Sequence, residues 1–392
     1  MIKKSTVTKA FVTLCLLIYI NIITSYAQQQ YKIALAAFYN CENFYDTLDN
    51  ENVRDEEFLP AGIRHYNTTV YQQKVAGIAR VLAGMGTDKS ADGPALIGLA
   101  EIENKCVLED LVQHPLLQQR QYGIIHYNSH DARGVDVALL YNPVYFQPDT
   151  SASLPVLIKG AAAYARLKQA DEGPLDTARS YHYYSRDILW IKGRLDGEVV
   201  HIYINHWPSR LGGETRTTPA RQTAALICKR HWDSVCVRTP DTKALIMGDF
   251  NDDPVSQSIS HSLKASGRAD TALPAGLYNP WLAQYKKGNG TLAYRDAWGL
   301  FDQIITSNNW LRKQQAGFMF HAAYIYKPDF MVEQQGRYTG YPMRFWEGTE
   351  VRGGFSDHFP VYIALLKQVK SSVTDGVAVS AAIADPDLSA PE

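Results

Sequence analysis

The chain has 392 residues, 46% of them hydrophobic and 20% charged, with 39 basic and 40 acidic side chains for a formal charge of −1. These are the values of an ordinary globular protein. They exclude a disordered chain and a protein that binds nucleic acid through a cationic surface as a whole, so any polyanion must be met by a local cluster of Arg and Lys or by a metal. The length fits one large α/β domain or two smaller ones, and no repeat or composition boundary argues for two.

The first residues read as a signal peptide. Lys3, Lys4 and Lys9 precede a mostly apolar run from Phe11 to Ile23, and Ser25-Tyr26-Ala27 supplies a small-x-small cleavage pattern. The run is too short for a membrane span, and Leu14 before Cys15 does not make a lipoprotein site. The expectation is an exported protein, periplasmic or extracellular, cut after Ala27, with no integral membrane segment left. With 36 basic and 40 acidic residues, the mature part carries −4. Residues 28–370 form the expected domain and 371–392 a disordered tail of small and polar residues.

Tyr31 to Tyr39 is apolar enough for a central strand and ends at Asn40, a candidate site residue or an ordinary Asn turn. Tyr71, Val75, Ile78 and Leu82 share helical spacing over 69–84, with Lys74 and Arg80 expected in solvent. Ala95 to Leu99 is a second buried strand, ending in Glu101-Ile102-Glu103. Alternation puts both glutamates on one face of an extended chain. Carboxylates there are costly unless exposed or bound to a cation, and hard oxygen ligands suit Mg²⁺ or Mn²⁺, with Ca²⁺ also possible.

Arg133-Gly134-Val135-Asp136 leads into the strand Val137 to Tyr141. Arg133 has the chemistry to bind a phosphate bidentately and Asp136 to orient an imidazole, with a structural Asp131–Arg133 turn as the alternative. After a surface excursion over Lys159 to Ser185, Asp187–Arg194, the turn Asp196-Gly197 and Val199–Ile204 read as a hairpin. Its second strand ends in Asn205-His206-Trp207-Pro208-Ser209-Arg210, where His206, with Asn205 and Arg210 beside it, is expected to have a catalytic or phosphate-binding role rather than the structural one of a lone histidine. Thr218 as N-cap and Pro219 in the first turn open a helix to about Val235. Arg221 is either a solvated helix charge or a source of positive potential near Arg210.

Ala244 to Met247 is a buried strand running into Gly248-Asp249-Phe250-Asn251-Asp252-Asp253-Pro254. Asp249 is able to hold a water as acceptor, and Asn251 to donate its amide to an anionic oxygen. The alternative is a polar turn that caps the strand. A helix is expected after Ser256, then a loop over Ala275 to Gly299 carrying Tyr278, Trp281, Tyr285 and Tyr294. These aromatics suit nucleobase stacking or a lipid surface, or simply packing beneath the loop. Asp302 lies within an apolar strand and needs a partner. His358 of Ser356-Asp357-His358 is the expected one, its tautomer and basicity set by Asp302.

Cys41, Cys106, Cys228 and Cys236 have no zinc spacing. Cys228 and Cys236 are separated by ~12 Å of helix, beyond disulfide reach unless the helix ends between them, so the cysteines stay unassigned. No serine elbow, P-loop or dinucleotide fingerprint is present. Carboxylates, histidines and amides at successive strand ends suggest metal-assisted attack of water on a phosphate ester.

The ordered set Asn40, Leu-Ala-Glu101, Arg-Gly-Val-Asp136, Asn205-His206, Gly-Asp249-Phe-Asn251, Asp302 and Ser-Asp357-His358 resembles the endonuclease/exonuclease/phosphatase superfamily, which includes DNase I and the abasic-site nucleases. The likeness covers residues 31–366 and is strongest to bacterial secreted nuclease-type members. It implies a four-layer α/β sandwich of two mixed β-sheets flanked by helices. It also implies Glu101 as principal metal ligand, with Asn40 and Asp357 contributing, and Asp249 to position or deprotonate the attacking water. Asn251 and Asn40 hold the phosphate in that reading. His358 with Asp302 does acid/base or phosphate-polarising work, opposed by His206, which Asp136 orients. The expected activity is nucleic-acid hydrolysis by a monomer; a phosphoesterase of lipid headgroups, inositol phosphates or other small phosphates is the alternative, and a non-catalytic binding protein a third reading.

Overall fold

Near-continuous apolar runs, such as Ala34 to Tyr39, Leu96 to Ala100 and Ala244 to Met247, give the central strands two buried faces, which is what a sheet covered on both sides requires. The computed structural model describes residues 30–160, 162–163, 181–270, 273, 275–312 and 317–369. The chain divides into two compact units, Ile33–Lys367 and residues 1–32 with 368–392. The second is described only at 30–32 and 368–369. The expected signal peptide and tail lie outside the described residues, as does most of the 159–185 excursion.

One sheet has the order β14-β17-β1-β2-β4-β3, from Met319–Ile325 (β14), Val361–Val369 (β17), Gln30–Phe44 (β1), Leu96–Ile102 (β2), Asp136–Tyr141 (β4) and Gly123–His126 (β3). The other runs β5-β6-β7-β8-β13-β10-β9. Its strands are Phe146–Lys159 (β5), His182–Leu195 (β6), Glu198–His206 (β7), Lys243–Asp249 (β8), Asp302–Ser307 (β13), Leu277–Tyr278 (β10) and Ala265–Ser266 (β9). Both sheets are mixed: β1 with β2 and β7 with β8 are parallel, while β2 with β4 and β8 with β13 are antiparallel. Two small hairpins, Leu292–Tyr294 (β11) with Ala297–Gly299 (β12) and Trp346–Glu347 (β15) with Glu350–Val351 (β16), stand apart from the sheets.

Three apolar layers separate four structural ones. Between the sheets lie Ala36, Phe38 and Leu139 against Ile202, Ile204, Leu245, Met247 and Ile304. The opposite face of the first sheet, Leu35, Ala37 and Tyr39, packs on Val75, Ile78 and Leu82 of helix α1 (Thr68–Gly84) and Val107 and Leu111 of α2 (Lys105–Gln113). The far face of the second sheet, Tyr203, Ala244 and Ile246, packs on Ala224, Cys228 and Trp232 of α3 (Glu214–Arg238). The expected four-layer α/β sandwich is therefore the fold. Each buried Leu, Ile or Phe contributes about 1.5–3 kcal/mol.

Several local expectations change. Lys74 is buried rather than solvated, its ammonium donating to the Phe355 carbonyl at 3.1 Å and lying 4.5 Å over the Phe345 ring. Helix α3 starts at Glu214, one turn before Thr218, because the Thr217 and Thr218 hydroxyls bond back to the Gly213 and Glu214 carbonyls instead of capping. Arg221 is fully buried and pairs with Asp252 at 2.8 Å, neither solvated nor free to lend its potential to a ligand. Cys228 and Cys236 lie in one unbroken helix, and all four described cysteines are free. The 275–299 stretch is partly regular, with β10, helix α4 (Trp281–Lys286) and the β11–β12 hairpin. Trp281 is core, its indole donating to the Ile304 carbonyl, whereas Tyr294 is 69% exposed.

At Gly98 a Cβ would stand 2.8 Å from Met247 Sδ and 2.9 Å from Ile204 Cδ1 across the inter-sheet layer. Gly98→Val is expected to cost about 1–3 kcal/mol by overpacking, read as a lower urea midpoint with an unchanged slope. An unshifted midpoint would mean that the two sheets do not approach this closely at β2.

Candidate active site

The inter-sheet columns stay apolar until the last position and then turn polar. Ile202 and Ile204 continue to His206, Leu245 and Met247 to Asp249, Ile304 back to Asp302, and Ala36 and Phe38 to Asn40, all by the two-residue period of a strand. Strands β1, β2, β7 and β8 end here, while β4 and β13 begin here, which is why the motifs follow some strands and precede others. Register makes the row continuous in the second sheet, with His206 beside Asp249 and Asp249 opposite Asp302. Gly248 is needed for this pairing, since a Cβ would meet the Asn205 carbonyl at 2.2 Å.

Asp249 is buried at the centre. Its Oδ1 accepts the Asn251 amide at 2.8 Å, and its Oδ2 accepts from Asn40 Nδ2 of the other sheet at 3.1 Å. His206 Nε2 lies 3.7 Å and His358 Nε2 4.0 Å from the same Oδ2. Burial pushes the Asp249 carboxyl up to about 6, against the opposing pull of His358. Asn251 has a left-handed backbone, φ +50°, which turns the chain immediately after the strand, and its side chain donates to the Trp207 carbonyl at 3.0 Å.

The two histidines are in opposite states. His358 Nδ1 and Asp302 Oδ2 are 2.7 Å apart, the partnership expected from sequence. Burial opposes the His358 charge, but Asp302, Asp249 and Asp357 outweigh it and hold the ring well above the ordinary histidine range. His206 is held well below that range by burial first, then by Arg186, Arg133 and His358. A cationic and a neutral imidazole thus flank one carboxylate.

Glu101 sits on a bulge with φ +63°, the strained kind of backbone that clusters at functional sites. That backbone breaks the alternation expected of Glu101 and Glu103. Glu101 Oε2 accepts the Asn43 amide at 2.7 Å, while Oε1 has, among the described residues, only Asn40 Nδ2 at 3.4 Å and His206 Nε2 at 3.8 Å. Glu103 instead accepts the Asp46 amide, and burial raises its carboxyl to about 8.

Four expected roles are revised. Asp136 does not orient His206; it meets His126 Nε2 at 3.1 Å and accepts the Ser129 amide. Asn205 is fully buried and bonded to Tyr203, Met247 and Trp207, leaving nothing for a phosphate. Arg210 is spent inside the protein, on the Asn251 carbonyl, Asp252, Asp253 and Glu214, with Phe301 beneath it. Asn40 Oδ1 accepts the Glu42 amide, so its N–H₂ and not its oxygen faces the carboxylates. Asn40 is placed as a donor rather than as a metal ligand. Arg133 is 41% exposed and 3.5 Å from Asp131, its charge favoured by Glu101 and Asp131 over partial desolvation.

Sequence reasoning missed two supports. Buried Arg186 donates to the His206 and Trp207 carbonyls and pairs with Asp131 at 3.4 Å, fixing the turn that carries His206. Glu42, φ +52°, accepts the Phe345 and Trp346 amides, and Ser356 donates to the Asn40 carbonyl at 2.7 Å, tying the Asp357 segment to β1. Burial pushes Glu42 up to about 8 and Lys74 down, so desolvation outweighs their mutual attraction. The local cue in the sequence was slight: charged residues inside otherwise apolar periodic stretches.

The donor set fits a hydrated divalent cation. Glu101, 16% exposed, has one poorly satisfied oxygen, and Asp357, 34% exposed, has only distant partners, Arg344 at 3.7 Å and His358 Nε2 at 4.0 Å, among the described residues. Hard, partly exposed carboxylates at an open mouth suit an ion that retains waters. Asp249, Asp302 and His358 also offer ligand atoms within 4.8 Å of one another. However, His358 is held as imidazolium and bonded to Asp302, and a protonated ring has no lone pair to give. That trio fits a hydrogen-bonded relay better than an ion.

Residues 35–367 match the family model described as "Endonuclease/Exonuclease/phosphatase family". No curated protein sequence matches the chain. Among solved structures, an endonuclease/exonuclease/phosphatase family protein of Bacteroides thetaiotaomicron is 15% identical with a TM-score of 0.48, covering 87% of this chain and 100% of its own. A mannosyl-6-phosphatase of the same organism is 15% identical at 0.48, covering 85% and 99%. A humanized D. rerio TDP2 is 11% identical at 0.47, covering 85% and 98%.

Asp302→Asn removes the charge that sustains the His358 imidazolium. The His358 ring is then expected to titrate lower than in the unsubstituted protein when followed by NMR. An unchanged titration would refute the charge assignment.

Proposed function

As the chain belongs to the endonuclease/exonuclease/phosphatase family, we propose that it is an exported, divalent-metal-dependent phosphodiesterase that hydrolyses DNA or RNA. The observation that carries this reading is the buried Asp249 carboxylate set between a neutral and a cationic imidazole, with Asn40 donating from the opposite sheet. The basic, apolar and small-x-small pattern over residues 1–27 supports export to the periplasm or medium.

Glu101 and Asp357 are the residues to hold Mg²⁺ or Mn²⁺ (or Ca²⁺), which when bound supplies positive charge to the phosphoryl oxygens. Asp249 orients the attacking water and takes its proton as the oxygen–phosphorus bond forms and the bond to the leaving oxygen breaks. A carboxyl near 6 is ionised at neutral pH yet basic enough to serve. The His358 imidazolium, kept charged by Asp302, donates to the developing phosphoryl charge. Asn40, Asn251 and neutral His206 add N–H donors, and Arg133 faces the anion from the rim. Asp136 and Arg210 act only through the framework. The complete polar set argues against a binding protein without catalysis. Of the four aromatics weighed for a lipid surface, Trp281 is core and Tyr294 alone stands on the exposed hairpin, so nucleic acid is preferred.

Residues 28–392 are expected to nick plasmid DNA or cut single-stranded RNA, and to hydrolyse bis(p-nitrophenyl) phosphate, with Mg²⁺ or Mn²⁺ but not with EDTA. Glu101→Ala and His358→Ala are expected to lower kcat/KM by about 10²–10³-fold while the far-UV spectrum is retained. Turnover of sphingomyelin or an inositol phosphate with silence on nucleic acid would overturn the substrate assignment. Inactivity on every ester would overturn the enzyme reading.

The acid limb has a defined sign. Asp249 works ionised and its carboxyl is raised to about 6, so kcat/KM rises with pH through that value and falls about tenfold per unit below it. A flat profile between pH 5 and 7 would remove Asp249 as base.

A further inference from the structure

Next to Asp357 of the candidate site lies a pocket of about 200 Å³, whose wall includes Tyr294, Arg295, Arg337, Tyr338, Arg344 and Arg352. Arg344 belongs to both places, since it lines this pocket and its Nη2 lies 3.7 Å from Asp357 Oδ2. The β11–β12 hairpin that carries Tyr294 and Arg295 is joined to the site as well: the Thr291 carbonyl accepts the Phe359 amide at 2.7 Å, and the Trp298 ring stacks on Phe359, next to His358. The pocket is thus attached to the same framework that positions the imidazolium.

Its charge is unevenly spent. Arg352 is neutralised by Glu333 at 2.9 Å and Glu347 at 3.4 Å, and Asp296 is bonded to the Tyr341 hydroxyl. Arg295 and Arg337 have no carboxylate within ion-pair distance among the described residues. Arg295 lies 5.2 Å over the Tyr294 ring and Arg337 5.9 Å from that of Tyr338. Those tyrosines are 69% and 41% exposed. Arg295 and Asp296 both have positive φ, fixing the tight turn that presents the guanidinium.

Two uncommitted guanidiniums beside two exposed aromatic faces recognise a phosphate attached to a planar or sugar ring. The volume is below the ~300–1,000 Å³ of drug-sized pockets and suits one phosphate with part of its ring. We propose that Arg295 and Arg337 bind a second phosphate of the substrate, next along the chain from the one being cleaved, with its sugar or base against Tyr294 and Tyr338. The preferred substrate is then a polynucleotide strand and not an isolated phosphate ester. This rests on the phosphodiesterase reading above.

The test compares the protein with its Arg295→Gln/Arg337→Gln variant on a fluorescein-labelled thymidine hexamer and on bis(p-nitrophenyl) phosphate. The expected result is a fall of tenfold or more in the ratio of kcat/KM for hexamer over small ester, expressed mainly in KM. Anisotropy of the hexamer in EDTA reads the pocket without catalysis, with a similar loss of affinity expected in the variant. Binding that is weakened while neither protein cuts would sink the catalytic reading and keep the pocket. An unchanged ratio with unchanged binding, or a wild-type protein that does not bind the hexamer, would overturn the proposal. Displacement by inositol hexakisphosphate that depends on both arginines, with no such dependence for the hexamer, would overturn the polynucleotide assignment and assign the pocket to small polyphosphates.

Discussion

The structure is organised by one buried carboxylate. Asp249 stands where the inter-sheet layer ends, and an isolated charge there would cost several kcal/mol. It is tolerated because two sheets and two strand-end turns supply it with donors: the Asn251 amide, the Asn40 side chain and, a little farther off, the nitrogens of His206 and His358. These same groups are able to redirect their hydrogen bonds to a phosphate. In the proposed reaction, the requirement that Asp249 be solvated by protein and the requirement that an anionic ester be held are met by one set of residues.

Those donors are useful only if the turns that carry them do not move. Each turn is fixed from below by a buried cation rather than by loop packing. Arg221 reaches from α3 to Asp252 and so holds the turn after β8. Arg186 binds the carbonyls that follow β7. Lys74 reaches from α1 to the carbonyl of Phe355, two residues before Asp357. Losing one partner of such a contact leaves an uncompensated buried charge, at a cost of about 3–5 kcal/mol. These residues act on chemistry by placing backbone, without touching a reacting atom.

The same packing separates residues that the family resemblance groups together. Asn205 and Arg210 lie next to His206 in sequence, but the strand period turns Asn205 to the face opposite His206, and the acidic residues after Asp249 capture Arg210. Asp136 has the right type and place for orienting an imidazole, and it does so for His126 on the neighbouring strand β3. Lys74 and Arg221 carry no local mark of burial. Their partners lie 281 and 31 positions away, and no helical periodicity anticipates them.

By itself, the sequence determined the strands β1, β2, β4, β6, β7, β8 and β13, the helices α1 and α3, and the strand-end placement of Asn40, Glu101, His206, Asp249, Asp302 and His358. Apolar alternation and short polar motifs are local properties, and a strand of fixed period converts them directly into faces and edges. Only the tertiary structure decided which polar groups meet. It set the opposite charge states of His206 and His358, the raised carboxyl of Asp249 and the joining of Arg344 to both pockets. Charge state and ligand geometry depend on desolvation and on neighbours brought together by sheet packing. Neither quantity is defined until the two sheets close on each other.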